Sequence, residues 1–349
     1  MPLLDKTNKS MVDKYNEFVR NKEYASALQD LNWAYVKNEE WAHEAVYLEK
    51  NGNITASMSM LIRTFVKGFS IIYVPRGPVC DAYDIATIKE LIREAKVVAK
   101  KYKAFVIKFD PEALYDNKLE ALYKKAGFKV RNLDKYKHEY IQPIYNMILK
   151  IKGKTEEEIF KGYSEKTRYN IRVAEKKGVN VRYSRNEEDL KKFHELSEIT
   201  AVRDGIILRD YQYYKRMLEA YDEKHLRIYL AEHEGEVLSG ALALNYGGKM
   251  FYIYGASSNE KRNLMPNYLM QQSMIKWAIE ENCHEYDFGG VFELNKANGL
   301  YRFKEGFCKQ EGVTKFIGEV DYVYNKPVYF AFVKCLPIYK KIRKIFKKK

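Results

Sequence analysis

The sequence predicts a mixed α/β chain folded as two domains. Three observations carry that reading. At 349 residues the chain exceeds one domain of roughly 100–200 residues. Its 46% apolar and 14% aromatic content can fill two packed cores and excludes a disordered chain. Strand and helix signals alternate in both halves, and their order decides the fold class.

In the first half, residues 44–49 and 54–65 read as strands flanking Asn51-Gly52, a hairpin signal because both residues tolerate positive φ. Residues 69–74 read as a third strand. Asp84 is placed to cap a helix whose apolar stripe comprises Ile85, Ile88, Leu91, Ile92, Ala95, Val98, Ala99 and Tyr102. Residues 104–109 form a strand ending at Asp110-Pro111, and residues 118–126 a helix stopped by Gly127.

The second half repeats the plan at greater length. Thr155-Glu156-Glu157-Glu158 is a capping-box signature, and basic helical residues run from Ser164 to Lys177 until Gly178 stops them. Residues 226–232, 237–244 and 250–254, separated by Glu234-Gly235 and Gly247-Gly248, read as an antiparallel meander. A helix over 266–281 and a short strand over 285–288 follow, running into Gly289-Gly290. Strand, strand, strand, helix, strand is the core order of a GNAT-type acyltransferase, an order other α+β domains share.

An acetyl-CoA-dependent enzyme of that type needs glycine-rich backbone amides at the start of the helix after the meander. Here that stretch, Asn259 to Tyr268, has no glycine, and Pro266 removes one amide. Acetyl-CoA is therefore not the expected donor.

With 61 Lys+Arg against 47 Asp+Glu the net charge is +14; eight of those charges lie in residues 334–349, leaving +6 on the body. No apolar run approaches the ~18–20 residues of a membrane-spanning helix. Residues 1–11 lack a hydrophobic signal region. Cys80, Cys283, Cys308 and Cys335 show no metal-ligand spacing, so free thiols in a reducing cytoplasm and no zinc are expected.

Several segments together resemble the Fem family of transferases: Trp33-Ala34-Tyr35-Val36-Lys37, Tyr73-Val74-Pro75-Arg76-Gly77-Pro78, Tyr252-Ile253-Tyr254-Gly255-Ala256-Ser257, Tyr286-Asp287-Phe288-Gly289-Gly290, and Gly299-Leu300-Tyr301-Arg302-Phe303-Lys304-Glu305-Gly306-Phe307. The resemblance implies two tandem GNAT-like domains with mixed, largely antiparallel twisted sheets: residues 1–145 completed by 317–349, and residues 146–316. No heptad-rich run lies between Asn180 and His225, so the chain is similar to the compact, FemX-like members. The implied activity is transfer of an amino acid from aminoacyl-tRNA to the stem-peptide amine of a peptidoglycan precursor, lipid II or UDP-MurNAc-pentapeptide. Aminoacyl-tRNA serves as co-substrate, and no cofactor or metal is expected.

The resemblance also assigns residues. Phe303 and Lys304 match a Phe-Lys pair in the acceptor channel, where the lysine is implicated in phosphate binding and charge stabilisation. Ester aminolysis develops negative charge on the carbonyl oxygen, which a fixed cation stabilises. A solvated lysine and a core aromatic are the plainer alternatives. Lys37, Arg209, Tyr213 and Tyr254 match positions that grip the pyrophosphate of the acceptor, a role that suits their donors. Arg209 and Tyr213 would share a face if residues 209–217 are helical; the alternative is a surface arginine and packed tyrosines, of which the chain has 30. Asp110, at a strand end, could accept a proton from the incoming amine or serve as an ordinary strand stop. The six histidines form no relay.

For the tRNA, Lys166, Arg168, Arg172, Lys176 and Lys177 make one basic helix face. In the tail, Phe332, Leu336, Ile338, Ile342, Ile345 and Phe346 among basic residues suggest peripheral contact with anionic lipid, a solubilising segment or an RNA contact. The expected location is cytoplasmic, with the inner face of the membrane reached through that tail. Two other classes fit parts of the sequence: a CoA-dependent N-acyltransferase, and a non-catalytic basic RNA or membrane adaptor.

Overall fold

A computed structural model of the chain describes residues 3–333 except 25, 66, 67 and 137. The expectations for the basic tail beyond 333, and for Cys335, lie outside the described residues. The chain divides into two compact units, Met1–Leu133 with Ile317–Lys349, and Asp134–Phe316. The sequence reading placed the boundary at 145/146. Residues 134–145 belong with the second unit because Tyr140, Ile144 and Tyr145 enter its core and the Tyr145 hydroxyl donates to Asp134 at 2.6 Å.

In the first unit the strands are β1 (Ala42–Lys50), β2 (Asn53–Thr64), β3 (Ser70–Val74), β4 (Ala104–Phe109), β5 (Lys129–Arg131) and a returning strand, Glu319–Val323. The sheet order is β1-β2-β3-β4-return-β5, antiparallel except for the β3/β4 pair. Asn51 and Gly52 adopt φ of 53° and 77° in the β1/β2 turn, the conformation that pairs of this kind supply cheaply. Helices Ile85–Glu94 and Lys96–Lys101 replace the single helix expected over 85–102. The break at Ala95 is mild, since Ala95 N still donates to Leu91 O and Ala99 N to Ala95 O, both at 2.9 Å. Ile88, Leu91 and Ile92 pack on Met58, Met60, Ile72 and Ile107. Phe332, counted above with the tail's apolar residues, instead packs its ring 5.1 Å from Phe105 and 5.4 Å from Phe65.

The second unit holds β6 (Tyr145–Lys150), β7 (Asn180–Ser184), β8 (Leu226–His233), β9 (Glu236–Tyr246), β10 (Lys249–Ser257), β11 (Glu285–Gly290) and β12 (Val313–Lys315), ordered β12-β6-β11-β10-β9-β8-β7. The β8-β9-β10 meander is antiparallel, and β10/β11 is parallel. The Thr155 capping box forms as read, with Glu158 N donating to Thr155 Oγ1 and Thr155 N to Glu158 Oε2. Helices Glu165–Lys176 and Pro266–Glu280 cover one face, where Ile171, Met270 and Met274 meet Ala241, Ala243 and Met250. Helix Glu187–Asp204 covers the other, and Gly240 leaves room there for Phe193 and Leu196.

Two features of this sheet position the site. The parallel pair is bonded only from Lys249/Glu285 to Phe251/Asp287, so β10 runs on to Ser257 without β11 beside it. Ligands of open α/β sheets bind beyond the C-terminal ends of such strands. Second, the β9/β10 register shifts at Ile253: Tyr252 pairs with Ala243, whereas Tyr254 pairs with Leu242. Residues two apart on a regular strand share a face, and this β-bulge puts Tyr252 and Tyr254 on opposite faces.

Candidate active site

Helix Gly299–Phe307 follows β11 and is started by Asn298, whose side chain accepts from Tyr301 N at 3.0 Å. Its inner side is set by Phe307, fully buried among Tyr163, Tyr268, Phe288 and Phe303, and by Gly306. A Cβ at Gly306 would stand 2.3 Å from Thr167 Oγ1, and Gly306 O accepts from Ser164 N at 2.8 Å. This close docking carries Lys304 inward, to 5% exposure. Its ammonium donates to Gly290 O at 2.9 Å. Burial lowers its pKa from 10.5 to about 8, with the Asp287 carboxylate opposing the shift.

The Tyr-Asp-Phe-Gly-Gly segment is the seat of that cation. Asp287 accepts from Asn146 Nδ2 at 3.0 and 3.2 Å and from Gly289 N at 2.7 Å. Gly289 takes φ 76°, and a Cβ there would face Lys304 Nζ at 3.7 Å and Tyr252 O at 3.8 Å. Gly290 has no space for a Cβ, which would meet Pro143 at 2.0 Å, and its carbonyl is the one Lys304 bonds.

Beyond the end of β10 opens a cavity of about 590 Å³, lined among others by Tyr252, Gly255, Arg262, Tyr268, Arg302 and Phe303. Phe303 meets Tyr268 edge-on at 4.9 Å. Lys304 is next in the chain to this wall and is not itself a lining residue. Arg203 is committed to Asp204 and Ser257, whereas the guanidinium groups of Arg262 and Arg302 make no hydrogen bond or ion pair among the described residues. At the start of helix Pro266–Glu280, Leu264 N, Met265 N and Tyr268 N donate to Lys261 O, Arg262 O and Met265 O. Those bonds occupy three of the amides near the helix start, and Pro266 has none to offer a CoA pyrophosphate.

On the opposite face of β10, Tyr254 OH donates to Tyr213 OH at 2.9 Å and the Arg209 guanidinium lies 5.1 Å over the Tyr213 ring. The structure thus brings Arg209, Tyr213 and Tyr254 together. The expected helix over 209–217 begins instead at Tyr211, because Asp210 caps it by accepting Tyr213 N at 2.6 Å. Arg209 precedes that cap and reaches Tyr213 by a cation–π contact rather than along a helix face.

Lys37 and Asp110 belong to the first unit. Lys37 ends helix Leu31–Val36, with its ammonium 5.1 Å from the Trp33 ring. Asp110 is 2% exposed and accepts from Tyr73 OH and Arg76 N, both at 2.7 Å. Burial raises its pKa from 3.8 to about 7 against the pull of Arg76. Gln29 braces the same turn, donating to Pro75 O at 2.7 Å and accepting from Ser59 N at 2.9 Å.

On the basic helix, Arg168 donates to Lys161 O and Tyr163 O, and Arg172 stacks on Phe160 at 5.3 Å, so both serve their own unit; Lys166, Lys176 and Lys177 are exposed. Among the described residues no group of His, Cys, Asp and Glu could hold a metal ion, and no helix is long and apolar enough to cross a membrane. Sequence reasoning gave no role to Tyr252, Asn146 or Asp287 individually; the Gly289-Gly290 pair was the visible signal for the last two.

A sheet that opens at its β10/β11 end, an aromatic cavity there and a buried cation beside it define the class: a transferase on a GNAT-like scaffold. The FemAB family model matches residues 11–236 and 231–337, and the chain belongs to the FemAB family. It is 36% identical over 342 residues to the UDP-N-acetylmuramoylpentapeptide-lysine N(6)-alanyltransferase of Weissella viridescens, covering 96% of this chain and 100% of that one. It is 31% identical to the lipid II:glycine glycyltransferase of Staphylococcus haemolyticus (strain JCSC1435), covering 90% and 92%. The crystal structure of FemX superposes with a TM-score of 0.84 at 28% identity, over 94% of this chain and 99% of that one. A tandem GNAT protein from the clavulanic acid pathway, at TM-score 0.54 and 10% identity over 92% and 97%, shares the fold alone.

Proposed function

We propose that this transferase moves an amino acid from aminoacyl-tRNA to the stem-peptide amine of lipid II or UDP-MurNAc-pentapeptide. The names of the Weissella and Staphylococcus relatives support the acceptor class. The observation that carries the reaction is the Lys304 ammonium, buried and held by Gly290 O, next in sequence to the Phe303 wall of the cavity. In this reading the amine attacks the ester carbonyl, a tetrahedral oxyanion forms under the Lys304 charge, and the ribose oxygen leaves with a proton. The ester is already activated, so positioning and oxyanion stabilisation suffice without a covalent enzyme intermediate.

Arg209, Tyr213, Tyr254 and Lys37 are proposed to hold the acceptor's phosphates. Asp110, at about 7, is suited to taking a proton near neutral pH. The cavity is proposed to receive the aminoacyl end of the donor, and exposed Lys166, Lys176 and Lys177 its backbone phosphates. The charge of residues 334–349 fits contact with anionic lipid.

The test is transfer of radiolabel from a panel of charged tRNAs to UDP-MurNAc-pentapeptide and to lipid II. Labelled precursor is expected with charged tRNA and none with free amino acid and uncharged tRNA. Transfer from acetyl-CoA in its place would overturn the donor assignment.

A further inference from the structure

The β-bulge at Ile253 gives the two tyrosines of Tyr252-Ile253-Tyr254 different surroundings. Tyr254 faces Tyr213 and Arg209 and shares its hydroxyl with Tyr213. Tyr252 faces the helix Pro266–Glu280 side, where it borders the same core as Met265, Tyr268 and Phe303 and lines the cavity with them. The hydroxyl end of its ring lies against Gly255: a Cβ there would fall 1.6 Å from the Tyr252 hydroxyl. The glycine thus clears the space that lets this hydroxyl sit at the cavity. No hydrogen-bond partner for it exists among the described residues. A half-buried phenol at a cavity wall can turn its hydroxyl, donor and acceptor at once, to a bound ligand.

The cavity is neighboured by the seat of Lys304 through Phe303, which precedes the lysine in the chain and lines the wall. A Cβ at Gly289 would stand 3.7 Å from Lys304 Nζ and 3.8 Å from the backbone carbonyl of Tyr252, so the cation's seat lies against the strand that carries Tyr252. A ligand bonded by the Tyr252 hydroxyl lies in the cavity walled by Phe303, the neighbour of Lys304 in the chain, and not on the face of β10 that carries the Arg209 cluster. Arg262 and Arg302, whose guanidinium groups make no hydrogen bond or ion pair among the described residues, add positive charge to the lining of the same cavity, which Asp204 and Glu260 partly offset.

We propose that Tyr252 is a donor-binding residue: its hydroxyl hydrogen-bonds the ribose-ester end of the aminoacyl donor, while the acceptor is held on the opposite face of β10. The inference rests on the reading of the chain as an aminoacyl-tRNA-dependent transferase. It adds that donor and acceptor binding are divided between two tyrosines that a regular strand would have placed side by side.

Tyr252→Phe removes one oxygen and keeps the ring, so folding is preserved; equal melting temperatures establish this. With the full chain, charged tRNA and UDP-MurNAc-pentapeptide, kcat/KM for the donor should fall about tenfold, the loss of one well-placed hydrogen bond, and the KM for the acceptor should not change. Tyr254→Phe should show the reverse split. An unchanged donor kcat/KM in Tyr252→Phe, or a loss confined to the acceptor, overturns the inference while wild-type transfer leaves the functional reading intact. Absence of transfer by the wild type from every charged tRNA overturns both.

Discussion

Lys304 shows how a residue's chemistry follows from where its helix is docked. A lysine with a pKa of about 8 is partly neutral just above physiological pH. If the cation is required, kcat/KM should rise with pH as the acceptor amine deprotonates and level off above about 8 as Lys304 loses its proton, short of the amine's own pKa of roughly 10.4. Lys304→Arg, which keeps its charge, should lose that break at reduced activity and keep rising; a break unchanged in the variant would assign it to another group. Asp110 gives a second, structural test. Its carboxyl is held at about 7 in the folded chain against an ordinary 3.8, so the folded state binds the proton more tightly. The associated stability is full below about 4 and is lost as pH rises through 7. Asp110→Asn should therefore flatten the decline in melting temperature between pH 5 and 8, measured against the wild type. Neither shift was legible in the sequence. A lysine and an aspartate in the chain carry no mark of burial, and the short amphipathic helix around Lys304 reads equally well with its charge in water.

At the scale of elements, what the sequence showed was what short stretches determine by themselves. Thr155 and Glu158 form their capping box, Asn51-Gly52 its turn, and Gly178 takes φ 78° at the end of the basic helix. The bulge at Ile253 was hidden because register belongs to a pair of strands. Asp210 displaced the expected start at Arg209 because a cap bonded to the Tyr213 amide outweighs the helical propensity of one more residue. The seat of helix Gly299–Phe307 was hidden in the same way, since Gly306 reads as a weak helix residue until Thr167 is found against it. Gly306→Ala should cost about 1–3 kcal/mol by overpacking, read from denaturant unfolding. Combining it with Thr167→Ala should recover part of that loss, because the two sites touch. Additive losses would show that the contact is not the cause.

The whole molecule uses its C-terminal segment as a structural part of the first unit. The strand Glu319–Val323 lies between β4 and β5, and Lys108 of β4 binds Glu319 at 2.8 Å and Asp321 at 2.7 Å in a largely buried cluster. Lys108→Met would leave buried Asp321 without this cation and Glu319 with the more distant Arg131 at 3.6 Å, and should cost about 3–5 kcal/mol, seen as a loss of stability in denaturant. Composition and length could not reveal this return; the family resemblance implied it, because strands that pair across some 200 residues leave no local pattern. Charge is likewise divided. Most of the excess lies beyond residue 333, while the cations given roles in the body, Lys37, Arg209 and Lys304, sit within a modest +6. The central claim is that this scaffold transfers an aminoacyl group under the charge of Lys304. The most direct measurement is mass spectrometry of the precursor after incubation with charged tRNA and either wild type or Lys304→Met. The wild type should add one amino-acid residue to the stem amine, and the variant should be slower by about 10²–10³-fold while still folded. No added mass with any charged tRNA, or an unimpaired Lys304→Met, would contradict the account.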